Sequence, residues 1–193
     1  MKNAKLQNLI LDAIKTRIDN APNENQRENL VAEYKFFSDA NGNAILDKVA
    51  ATIDVKSLAA KVAICDKANS DFVAVYALQK VRKMLYALAN NRASFVDSYS
   101  RSIISNMVRL QELTNKSALV ALSKSIEYTE LDKVQEIKRS VSVAASTAST
   151  QASSTRQMLR LLGIASVTKQ RNSDEFALID SEAAKQVAVM FAQ

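Results

Sequence analysis

Glycine occurs only at positions 42 and 163, and proline only at 22, in a chain of 193 residues. Strands need turns, and tight turns draw on residues that tolerate positive φ or fix it in advance. A chain so poor in these residues has few places to reverse sharply, so helices joined by short polar links are expected. The same scarcity removes glycine-rich phosphate cradles: neither a P-loop nor a three-glycine dinucleotide turn can be built.

Histidine is absent as well. That excludes Ser-His-Asp and Cys-His catalysis, His-ligated zinc and the helical Glu-x-x-His di-iron site. An enzyme here would have to work with carboxylates, hydroxyls and lysines. No arrangement of these stands out, so a non-enzymatic protein without cofactor or metal is expected.

With 48% hydrophobic and 24% charged residues, the composition is that of a globular protein. The length suits one large domain or two small ones. After Lys2 and Lys5 the apolar run is short and broken by Asp12, so it does not read as a secretory signal. No stretch approaches the ~20 apolar residues of a membrane span. Cys65 stands alone in "KVAICDK" and reads as a small buried hydrophobe on a helix face. No membrane partner and a cytoplasmic location are expected (for a viral chain, the host cytoplasm or the virion).

Leu6, Leu9, Ile10, Ala13, Ile14 and Ile18 share one face of a helix over 4–19, which Asn20-Ala21-Pro22 stops. A second helix is predicted over 23–40, with Asn41-Gly42 as a left-handed cap. Further helices are predicted over 44–52, 55–68, 71–90 capped by Ser70, and 94–113 capped by Ser94. A last short one runs from "TNKS" at 114–117 to Ile126. The helix over 71–90 is apolar on most sides and is predicted to be the centre of a bundle formed by residues 1–126.

The charge pattern then changes. Residues 137–173 contain Lys138, Arg139, Arg156, Arg160, Lys169 and Arg171 and no Asp or Glu. An acid-free basic window within a net charge of +6 is an electrostatic footprint for a polyanion. Within it lies "SVSVAASTASTQASSTRQMLRLLGI" at 140–164, which supports three readings. One is a Ser/Thr/Ala spacer, although it lacks the usual Gly and Pro. Another is one long oligomerising helix over 129–162, with Val134, Ile137, Val141, Ala144, Ala148, Gln151, Thr155, Met158 and Leu162 as its seam. The third is a helix-turn-helix.

In that third reading "ASSTRQMLRLLGI" at 152–164 resembles the second helix of the motif as found in winged-helix DNA-binding domains. Ser153 or Ser154 would cap it, Leu159 and Leu162 would face the core, and Thr155, Arg156, Gln157 and Arg160 would face outward toward base edges and phosphates. Ala145 stands where the preceding helix carries a small residue. "ASVTKQ", "RNSD" and "EFALID" then read as strand, turn and strand, a wing with Lys169 and Arg171 near its tip. Ser181 would cap a final helix with Val187, Met190 and Phe191 packed inward. The turn glycine is missing, and Ser149 and Thr150 occupy positions usually small and then bulky apolar.

The expectation is therefore a mainly α protein: a helical bundle (1–126) followed by a small basic winged-helix-like domain (127–193) with one β-hairpin. Its expected function is duplex DNA binding through Lys138, Arg139, Ser154, Thr155, Arg156, Gln157, Arg160, Lys169 and Arg171, with RNA left open and a homo-oligomer expected. The competing expectation is a helical structural or adaptor protein, viral in one version, built on the long 129–162 helix.

Three further motifs read more simply. "DANGNAILDKVA" at 39–50 has its glycine at the wrong place for a calcium loop and Ala50 where a bidentate Glu is needed. Glu136 and Lys138, with Asp132 upstream, have nuclease-like spacing but lie in a helical pattern. Tyr76, Lys80 and Lys83 share a helix face that reads as solvated.

Overall fold

Pro22 sits where the first helix ends, as the sequence predicts. In the computed structural model, which describes residues 2–69, 71–126, 134–168 and 175–192, α1 (Lys2–Asp19) turns into α2 (Glu24–Ser38). Asn23 caps α2 by accepting from the Gln26 N–H at 3.0 Å, satisfying one of the orphan donors of the first turn. Leu30 and Phe37 turn inward, and Ile10 and Ile14 of α1 meet them in the same core.

The expected break at Asn41-Gly42 is corrected. Asp39 caps a new helix, α3 (Ala40–Val49), by accepting from the Gly42 N–H at 2.7 Å, and Gly42 lies inside that helix. Its lack of a side chain serves packing instead of backbone freedom. A Cβ there would lie 2.8 Å from the Phe37 Cα and closer still to the Phe36 carbonyl oxygen.

α4 (Val55–Val62) is capped by Asp54 and ends before Cys65. Cys65 is therefore in a loop and half-buried, not on a helix face; its thiol donates toward the carbonyls of Ala63 and Thr16. α5 (Val75–Asn90) starts later than expected, after Ala74, and Ser70 lies outside the described residues. It is the bundle's centre, with Leu78, Val81, Met84, Leu85 and Leu88 buried and α2, α3, α8 and α9 packed around it. A 3-10 turn at 93–95 follows, and Asp97, not Ser94, caps α6 (Ser98–Leu110).

β1 (Glu112–Thr114) leads into α7 (Asn115–Val120), whose cap is Thr114. After a 3-10 turn at 134–136 and the non-helical residues 137–144, α8 (Ala145–Leu161) leads through Gly163, at φ +63, into β2 (Ala165–Thr168). β3 (Glu175–Leu178) and α9 (Glu182–Phe191), capped by Ser181, complete the described chain. The sheet is antiparallel in the order β1-β3-β2, so the predicted hairpin gains a third strand from between α6 and α7. Among the described residues the architecture is mainly α with this one small sheet. Elements on both sides of residue 126 share one buried cluster, in which Leu85 and Ile103 are found with Met158, Leu159 and Phe176.

The long-helix and spacer readings fail on this geometry, and the helix-turn-helix reading loses its turn and its cap. Residues 137–144 are not helical, so no single helix spans the segment. α8 is unbroken from 145 to 161, so the turn expected near 149–152 is absent and Ser153 and Ser154 lie mid-helix, not at a cap. Nor is the segment a loose spacer: Ala148, Ala152, Met158 and Leu159 are buried against the bundle. Asp132, Lys169 and Arg171 lie outside the described residues. Among the described residues, no helix is long and apolar enough to cross a membrane.

Candidate nucleic-acid interface

α6 separates its side chains by character. Ile103, Ile104 and Met107 face the core, while Arg101, Ser105 and Arg109 lie exposed at four-residue intervals, one helical turn apart. Beside this edge runs the extended passage after the 3-10 turn at 134–136, tied down at several points. The buried Asn106 amide holds Lys138 by its backbone, donating to its carbonyl at 2.7 Å and accepting from its N–H at 2.8 Å. Arg139 Nε donates to the Val120 carbonyl at 2.8 Å. The Val143 N–H reaches the Leu122 carbonyl at 3.0 Å, and the Ser123 hydroxyl donates to the Val143 carbonyl at 2.6 Å.

The result is a groove of about 510 Å³ between α6, this strap and the end of α9. Arg109, Lys138, Ser105 and Ser140 supply its polar groups, and Val108 and Phe191 part of its apolar floor; among the described residues no carboxylate lines it. Arg109 is steadied by donating to Asn106 Oδ1 at 3.0 Å and to the Glu136 carbonyl. A guanidinium, an ammonium and hydroxyls facing one cleft are donors for an anion with several oxygens.

The residues singled out from the sequence do not stay together. Lys138 lines the groove, and Arg139 is exposed on the same strap. Ser154 and Thr155 are buried, against the outward placement expected of Thr155. The Ser154 hydroxyl donates to the Thr150 carbonyl of its own helix at 2.8 Å. Gln157 is half-buried and accepts from the Ala74 N–H at 3.1 Å. Arg156 is half-buried, and Arg160, though exposed, is paired with Asp71. Because α8 packs against α5, α6, α7 and β2, its middle belongs to the core. Ahead of Arg160, the edge it leaves exposed has short side chains, most of them hydroxyl-bearing: Ala145, Ser146, Ser149, Thr150 and Ser153.

Thr155 joins a buried polar group that no local pattern announces. Its hydroxyl lies 2.9 Å from the Ser100 hydroxyl, and Lys80 Nζ donates to Ser100 Oγ at 2.8 Å and to Asp97 Oδ1 at 2.9 Å. Burial pushes the Lys80 pKa down, and Asp97 only partly offsets this. For Asp97, burial pushes upward, but the Lys80 charge and the Ser100 bonds outweigh it and leave the carboxyl below its ordinary value. A serine beside a lysine is raw material for nucleophilic catalysis. Ser100 is 0% exposed, however, so no substrate reaches it, and the group acts as a tie between α5, α6 and α8. The expectation of a solvated Lys80 is thereby corrected.

Asn106, Arg101, Ser105 and Arg109 escaped the sequence reading. A four-residue spacing of Arg, Ser and Arg was the available signal for the last three. No family model, curated protein or solved structure matches the chain.

Proposed function

We propose that the protein binds duplex DNA without catalysing a reaction, chiefly through phosphate contacts in the Arg109–Lys138 groove. The observation that carries this reading is that groove's lining, two cations with serine hydroxyls and, among the described residues, no carboxylate. Arg101 and Arg139 extend the positive surface along α6 and the strap. The sequence adds Lys169 and Arg171 between β2 and β3.

Fold-level analogy supports it further. The order α6, β1, α7, α8, β2, β3 with the sheet order β1-β3-β2 resembles the layout of winged-helix domains. Such analogy raises the expectation of DNA binding without supplying a site. In that layout α8 would be the helix nearest the bases, yet its exposed edge is mostly small hydroxyls, and its exposed cation, Arg160, is paired with Asp71. Phosphate contacts position a protein on a duplex without reading its sequence. Binding is accordingly strongly salt-dependent and weakly sequence-selective.

Titration of the full chain with duplex DNA, single-stranded DNA and RNA across a salt series tests the reading. About six phosphate contacts give a log–log salt slope near −5. Replacing Arg109 and Lys138 together by Gln should shrink that slope by about two units. Absence of duplex binding at low salt, or a double variant that binds as the wild type does, defeats it.

A further inference from the structure

A separate cleft lies between the α1–α2 turn and the segment that joins α4 to α5. Its two parts, about 330 and 240 Å³, share Gln26, Lys67 and Phe72. Tyr76 lines the larger part and is 56% exposed. The Arg17 guanidinium stands 4.7 Å over the Phe72 ring and is itself buried, donating to the Val62 carbonyl at 3.3 Å. Arg17 thus covers one face of Phe72, and with the exposed Asp66 it also lines the smaller part of the cleft.

Most of the amides around this cleft are occupied. Asn23 caps α2, and Asn29 bonds Asn25 with its amide nitrogen and Gln79 with its oxygen. Gln26 differs: among the described residues its hydrogen bond to Asn23 is made by the backbone N–H, which leaves the carboxamide to the cleft. Lys67 is exposed at the junction of the two parts.

We propose that this cleft binds an adenine nucleotide, with the base against Phe72 and Tyr76, its edge on Gln26 and its phosphate toward Lys67. A planar heterocycle stacks on aromatic side chains whatever its substituents. The edge contact supplies selectivity. A carboxamide presents an acceptor and a donor side by side, matching the amino donor and ring-nitrogen acceptor of adenine, whereas guanine presents two acceptors on that edge. An ammonium beside the base then suits a phosphate.

The test is calorimetric titration of the full chain with AMP, adenosine, GMP and inorganic phosphate. AMP should bind, GMP and adenosine each about tenfold more weakly, and phosphate alone not measurably. Gln26→Leu should lower AMP affinity by about tenfold or more with an unchanged melting temperature. Lys67→Ala should bring AMP down to the affinity of adenosine. Duplex DNA binding should be unaffected by Gln26→Leu, which keeps this site distinct from the Arg109–Lys138 groove. The proposal is overturned if millimolar AMP gives no heat, or if GMP binds as well as AMP. It is overturned equally if Gln26→Leu binds AMP normally or loses duplex affinity.

Discussion

Asn106 and Lys138 meet as two strands of a sheet would, one side chain standing in for a backbone. The carboxamide of Asn106 donates to the Lys138 carbonyl at 2.7 Å and accepts from its N–H at 2.8 Å. Asn106→Ala removes both bonds and leaves the strap to the ties of Arg109 to Glu136, of Arg139, Val143 and Ser123, and to the burial of Ile137. The expected loss is about 2–3 kcal/mol in chemical denaturation. Because Lys138 is no longer held against α6, duplex affinity should fall as well. A variant with lowered stability and wild-type DNA binding at a temperature where it is folded would show that the strap does not position Lys138.

Lys80 should prove costly to remove. Its ammonium is the main partner of the buried Asp97 carboxylate, one of whose oxygens, Oδ2, already lacks a hydrogen-bond partner. Lys80→Met leaves that charge largely unanswered and should destabilise by about 3–5 kcal/mol. Adding Asp97→Asn to the same chain should recover part of the loss. Equal stabilities for the single and double variants would mean the charge is not the source of the cost.

Glu33 gives the protein a pH dependence of definite sign. It is 1% exposed beside Arg82 Nε at 3.3 Å, and burial pushes its carboxyl from 4.5 up to about 7 despite the Arg82 charge. The folded state thus holds this proton more tightly than the unfolded chain does. Its contribution is fully present below pH 4.5 and is lost as pH rises through about 7. Glu33→Gln removes the effect, so its stability relative to wild type should rise between pH 5 and 8, by up to about 3 kcal/mol. Melting curves of the two proteins at matched pH values check this. A constant difference refutes it.

The two glycines should respond very differently to alanine. At Gly42 the new methyl group meets the backbone of Phe36 and Phe37, which cannot move without parting α2 from α3, and a loss of about 2–3 kcal/mol or more is expected. At Gly163 nothing lies within 4 Å, and only the φ of +63 opposes the change. That costs about 1–2 kcal/mol. Thermal unfolding of both variants gives the ranking, and the reverse order would mean α2 and α3 can separate cheaply.

Leu159→Ala should cost about 2–4 kcal/mol. Leu159 belongs to the cluster that also contains Leu85 and Ile103, so the loss should appear as one shifted transition for the whole chain. Resistance to protease retained in 1–126 but lost beyond it would instead show that the two parts unfold separately.

Where a segment buries a continuous stripe, its residues announce it, because a helix can hide apolar groups only at its own period. That is why α1, α2, α5, α6 and α9 were legible, and the hairpin likewise from Phe176 and the polar turn before it. Residues 137–144 mislead for the same reason. Ile137, Val141 and Ala144 have helical spacing, but the backbone there is drawn out by Asn106, Val120, Leu122 and Ser123, partners far away in sequence. Thr155 and Gln157 were assigned outward because they are polar. Their hydrogen bonds to Ser100 and Ala74 make burial tolerable, and neither partner could be foreseen locally. The candidate groove was legible only at Lys138, since its other cation, Arg109, comes from a helix whose exposed edge gains meaning only when the strap lies beside it.

The strand order β1-β3-β2 has a consequence for synthesis. β3, at the middle of the sheet, is made after both strands that it joins. Until it leaves the ribosome, β1 and β2 have no partner for half of their backbone groups, and Leu113 waits for its neighbour Phe176. The sheet therefore closes late in translation, and a nascent chain stalled before residue 175 presents open strand edges to whatever chaperone is near.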